Sequence, residues 1–140
     1  MVLTGVAVLL LVVGVVVFLR SRQAVSGNAH SVDNGVKAAE YPVLIPGLCR
    51  ARSAAAAGAD ADARNVFYGR SHYALHVLVA DVLPLDRRLA GSIQQAKATV
   101  EQDLSTSAPG LATHLGSLIS LAADALNAVG AGDVPLVCAP

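Results

Sequence analysis

Two histidines four residues apart, His72 and His76 in the run GRSHYALHVLVADVLPLDRR, are the side chains of this sequence best spaced for chemistry. On a helix, positions four apart differ by about 40° around the axis and about 6 Å along it, so both imidazoles leave one face and can grip a single ion. Two ligands do not complete a shell, because zinc takes four, or three plus a water. Helix register places Gln94 and Gln95 opposite His72, and neither is a convincing ligand. It also leaves His114 about 9 Å from the height of His72. The remaining ligand candidates are Glu40 and Asp133, with His30 if the segment before residue 46 folds back. Imidazole-dominated ligation would suit copper or zinc, and iron less well. The competing reading is a half-solvated helix edge that His72 and His76 share with Asn65, with Arg70 and Asp81 on the opposite side. The edge is the more economical of the two.

Other constellations are weaker. Asp81 and Asp86 flank Pro84, where helix capping and pairing with Arg87 or Arg88 explain them better than a carboxylate dyad does. Tyr68 and Tyr73 read as helix packing residues. No serine has a G-x-S-x-G context, and neither GLCRARS nor SAPGLA has the pattern of a phosphate-cradling loop. The motif C-x-x-C-H is absent, and the single methionine is Met1, so neither covalent haem nor Met–His haem ligation is expected. No acid, base and nucleophile set assembles, and the expectation is a protein that is not an enzyme and holds neither haem nor nucleotide. A transition-metal ion is the one cofactor left open.

Ten basic and ten acidic side chains cancel, which leaves no basic footprint for nucleic acid. At 140 residues there is room for one domain. The hydrophobic share is 54% with only 4% aromatic, so the core must be built from Ala, Val and Leu on closely packed helices.

Residues 1–19, MVLTGVAVLLLVVGVVVFL, carry no charge, and a helix of that length spans about 30 Å of hydrocarbon. They read as a transmembrane helix ending at Arg20 and Arg22. The alternative is a cleaved signal peptide and a secreted product, although the basic segment that normally precedes such a run is missing. Orientation is contested. The two arginines favour a cytoplasmic domain. Cys49 and Cys138, far apart and in no metal-binding spacing, suit one disulfide in an oxidising compartment. The cysteines weigh more, because two basic residues are a weak topological signal.

Residues 20–46 lack a clear period and read as a juxtamembrane linker. Residues 47–140 carry four helical patterns. The first starts at about Gly47 after Pro46 and stops at Gly58. The second runs from Asp60 to about Leu83. The third spans Leu85 to Leu104, with Leu85, Leu89, Ile93, Ala96, Val100 and Leu104 as one apolar stripe. The fourth is capped by Ser107, tolerates Pro109 in its first turn, carries Leu111, Leu115, Leu118, Ala122, Ala125 and Val129, and closes at Gly130. Short connections make this an up-down-up-down four-helix bundle. The eight residues after Gly130 can span over ~20 Å when extended, which lets Cys138 climb back to Cys49.

The portions PGLCRA, F-Y-x-R-x-H-x-x-L-H and DRRLAGSIQQAK resemble small, Ala-rich exported or membrane-anchored helical proteins of high-GC Gram-positive bacteria. That resemblance covers about half of the chain; it implies a helical domain and an extracytoplasmic habitat, and no activity. The expectation is therefore an all-α, membrane-tethered, extracytoplasmic binding or interaction module. A cell-envelope metal protein using His72 and His76 is the alternative.

Overall fold

The structure, a computed structural model, describes residues 39–139. The expected transmembrane helix at residues 1–19, most of the linker, and His30 lie outside the described residues. No helix among the described residues is long and apolar enough to cross a membrane. The described chain is all helical, in four rods. Helix α1 passes through residues 39–56. The second rod is kinked and consists of α2 (Asp60–Val66), a π turn (Phe67–Ser71) and α3 (His72–Val82). Helices α4 (Arg87–Thr106) and α5 (Leu111–Ala128) complete the set.

Helix α1 corrects the expected linker boundary at residue 46. The segment YPVL-IP is helical, and Tyr41, Leu44, Ile45, Leu48 and Ala51 form one fully buried stripe at helical spacing. Pro46 has no N–H to give to the carbonyl of Pro42, a real local loss. Burial of that apolar stripe outweighs it, since each fully buried Leu or Ile contributes about 1.5–3 kcal/mol. Helix α1 ends as its sequence requires. Gly58 takes φ +72°, and the amides of Ala59 and Gly58 bond back to the carbonyls of Ala54 and Ala55. That is a Schellman cap, in which glycine avoids the Cβ clash of the left-handed conformation. Gly130 ends α5 in the same way, with Ala131 bonded to Leu126 and Gly130 to Asn127.

Asp86 caps α4, its Oδ1 accepting from the amides of Arg88 and Leu89 at 2.9 Å each. Leu85 consequently falls in the preceding turn, 63% exposed, and does not open the α4 stripe as its spacing suggested. Ser107 is likewise reassigned. It ends α4 in the left-handed conformation at φ 52°, and its amide bonds to the Asp103 carbonyl. Helix α5 starts only at Leu111, with Gly110 before it and no side-chain cap. The expected α5 stripe is buried from Leu111 to Ala125, joined by Ile119 and Leu126.

Side-chain pairs report how the rods meet. Tyr41 donates its hydroxyl to Asp81, so the early turns of α1 lie beside the end of α3. His72 meets Glu101, and Asp103 meets His114 across the α4–α5 turn. Cys49 and Cys138 are joined in a disulfide, 89 residues apart in sequence. In the chain-entropy model, closing a loop of this length contributes about 4–5 kcal/mol.

One contact in this packing is especially close. A methyl group added at Gly47 would lie 1.9 Å from Ser71 Oγ and 3.2 Å from its Cβ, and Ser71 is buried in the π turn. Gly47 therefore sets how closely α1 approaches the kink. Gly47→Ala is expected to lower unfolding stability by about 1–3 kcal/mol, as overpacking does. Urea denaturation checks this, and an unchanged midpoint would show that the two rods have room to separate.

Candidate functional site

Backbone geometry delivers His72 to its place. Gly69 sits inside the π turn with ψ −140°, outside the helical region, so the second rod bends just before His72. Such turns interrupt the regular ladder and re-aim the side chains beyond them. Phe67, fully buried, packs edge-on to His72 with centroids 5.7 Å apart. Tyr68 lies 5.3 Å from His72 on the solvent side.

His72 and His76 do come together, with ring centroids 4.7 Å apart and planes at 78°. The residue that completes their surroundings is Glu101, not Gln94 or Gln95. Glu101 Oε1 is 2.8 Å from His72 Nε2, and the same oxygen accepts from Lys97 Nζ at 2.9 Å. Two effects move the partner along α4. The helix begins at Arg87 instead of Leu85, and helical side chains lean toward their own N-terminus, so Glu101 reaches back to the level of His72.

Electrostatics follow from this placement. Burial, together with the positive charge of Lys97 and the neighbouring His72, holds the His76 imidazole below its ordinary value of 6.5, against a smaller opposing pull from Glu101. At Glu101, burial pushes the carboxyl upward. Hydrogen bonds from Lys97 and His72 outweigh it and keep the group below its ordinary 4.5.

The other expected ligands lie elsewhere. Glu40 pairs with Arg70 at 3.0 Å, and Asp133 is exposed in the tail beside Tyr41 and Pro42. His114 belongs to a different cluster, because its partner Asp103 and the His72 partner Glu101 are two residues apart and so point about 200° apart around α4. Among the described residues no three His, Cys, Asp or Glu side chains form a group that could hold a metal ion. Arg70 and Asp81, on the side opposite the histidines, both reach α1, through Glu40 and Tyr41, and Asp81 thus bonds Tyr41 where capping or pairing with Arg87 or Arg88 was expected.

The second cluster was not expected. Asp103 is buried within the apolar stripe of α4, and its Oδ2 lies 2.5 Å from His114 Nδ1. A carboxylate acceptor there fixes a proton on Nδ1 and leaves Nε2 as the free ring atom. His114 forms part of the wall of an open groove of about 660 Å³ between α4 and α5. Arg88, Ser92, Gln95 and Ser117 supply further polar groups, and Ala96 and Leu121 give an apolar bed. Among the described residues no carboxylate side chain lines it. A signal for this pair was present in the sequence: an acid one residue before Leu104 in an apolar stripe needs a partner, and the following turn brings a histidine within reach.

Comparison with known proteins finds no matching family model, no similar curated protein and no similar solved structure.

His76 and Glu101 are both depressed, so the unfolded chain binds more protons than the folded one as pH falls. Their contribution is complete above the ordinary values of 6.5 and 4.5, and is lost as pH drops through the lower folded-state values. By proton NMR, His76 is expected to titrate below a histidine in an unstructured peptide, and Lys97→Met to raise its midpoint. A midpoint at or above the peptide value would contradict the network.

Proposed function

We propose that this chain is an extracytoplasmic binding module: an up-down-up-down four-helix bundle, tethered to the cell membrane by residues 1–19, that takes its ligand in the α4–α5 groove. The observation carrying this reading is the groove's chemistry. Arg88 offers a positive, donating group, Ser92 and Gln95 add polar contacts, and among the described residues no carboxylate lines the groove, the nearest being Asp103, which is paired with His114. Ala96 and Leu121 supply apolar surface between them. Walls of that kind favour an organic anion with an apolar body. Asp103 keeps the His114 ring oriented, which lowers the entropic cost of presenting Nε2 to a ligand.

The Cys49–Cys138 disulfide supports the oxidising compartment. The uncharged run at residues 1–19 supports a single-pass tether, with signal cleavage and secretion as the alternative. A metal-binding protein is the rival, but His72 and His76 have no third free ligand beside them among the described residues. The oxygen of Glu101 nearest to them is already shared by an imidazole and an ammonium group. The groove is therefore the site carried forward, as a binding site without catalysis.

Anilinonaphthalene sulfonate, an anion with an apolar ring system, is a direct probe. Titrated into residues 27–140 prepared under oxidising conditions, it is expected to bind saturably. Arg88→Gln is expected to weaken binding about tenfold, the loss of one charge-assisted hydrogen bond, and Ser92→Trp to block it. Equal binding by both variants, with helicity unchanged, would remove the groove as the ligand site.

A further inference from the structure

One end of the helical domain carries apolar surface that the fold leaves in solvent. Leu83 is 49% exposed and Leu85 63% exposed, on either side of exposed Pro84 in the turn between α3 and α4. These are two of the few large hydrophobic side chains that the described residues expose, and they are consecutive around a proline. Apolar side chains exposed next to one another are the kind of surface that interaction sites use, where a single exposed leucine is not.

The position of this turn says what it meets. Tyr41 bonds to Asp81, and Tyr41, Asp81, Pro84, Leu85 and Val129 surround one shallow cavity. The first turns of α1 therefore stand at the same end of the domain as Leu83, Pro84 and Leu85. The chain that precedes residue 39, and with it the apolar run of residues 1–19, is covalently attached at this end. If that run is in a bilayer, the 19 residues between it and residue 39 attach the domain to the lipid at this end, with a covalent reach of at most about 65 Å. Tethering at that range raises the local concentration of the bilayer so far that a small apolar contact suffices for docking.

We infer that the Leu83–Pro84–Leu85 turn is a membrane-docking tip, which seats its two leucines in the lipid surface from which the domain is hung. The inference rests on the tethered reading of residues 1–19. Charge does not drive the contact. Arg87 and Arg88 lie just beyond the turn, but Asp81, Asp86 and Asp133 lie at the same end, with Asp86 committed to the α4 cap and Asp81 to Tyr41. The apolar side chains do the seating. A consequence is that the Arg88 end of the α4–α5 groove, one helical turn from Leu85, opens next to the lipid headgroups.

The chain contains no tryptophan, so a single one reports its own surroundings. The full chain carrying Leu85→Trp, reconstituted in phosphatidylcholine vesicles with brominated acyl chains, is the test. The control is Tyr73→Trp, at an exposed position near the start of α3. Docking predicts that Leu85→Trp emission shifts blue and loses most of its intensity in brominated vesicles, that Tyr73→Trp emission does not, and that the quenching survives high salt. Adding Leu83→Asp should return the Leu85→Trp signal to the control level. Protein that floats with the vesicles while Leu85→Trp stays unquenched overturns the docking tip and leaves the tether intact. Protein that fails to float overturns both.

Discussion

The covalent tie between Cys49 and Cys138 is the constraint on which the rest of this domain depends. It fastens the last described residues to the middle of α1, the rod whose neighbours include both α3 and the tail. Ala131, Val134, Leu136 and Cys138 can then pack, partly buried, against the core although they belong to no helix. Tight packing of small side chains elsewhere is consistent with this need. The described core draws mainly on Ala, Val, Leu and Ile with few aromatic rings, so a crosslink worth about 4–5 kcal/mol in the chain-entropy model is a large share of a domain's typical stability.

Helix α4 organises the polar side of the structure. Glu101 faces α3 and holds His72, and Asp103 faces α5 and holds His114, so two carboxylate–imidazole contacts leave one helix in opposite directions. The first sits at a half-exposed edge and is shared with Lys97. The second is buried at the carboxylate and open at the imidazole, with side-chain exposures of 10% and 44%. That contrast separates their roles. The Glu101 network couples two helices and responds to acid, whereas the Asp103 carboxylate orients a ring that borders a groove.

Periodicity made much of this fold legible. The α4 stripe beyond Leu85, the α5 stripe, the glycine terminators at Gly58 and Gly130, a capping role for Asp86 and the disulfide pairing could all be read from the sequence, because each follows from local geometry or from the reach of an extended tail. Pro42 and Pro46 hid the first turns of α1, since proline normally argues against a helix and only tertiary burial of Tyr41, Leu44 and Ile45 overrides it. Ser107 was misread because serine is a frequent helix cap, and nothing local announced its left-handed turn. The pairing of His72 and His76 on one face followed from their spacing, but Glu101 did not, because inter-helix register depends on where α4 starts and how its side chains lean. His114 was legible as a residue, and its bond to Asp103 was not. A buried acid in an apolar stripe was the clue.

Thiol trapping in intact cells tests the central claim most directly. Cells carrying the full chain are quenched in acid and treated with a bulky maleimide, with and without prior reduction. The account predicts no alkylation of the untreated chain, two alkylations after reduction, and no disulfide-linked dimer. Two free thiols in the unreduced chain would place the domain in a reducing compartment. That would remove both the clamp and the extracytoplasmic reading built on it.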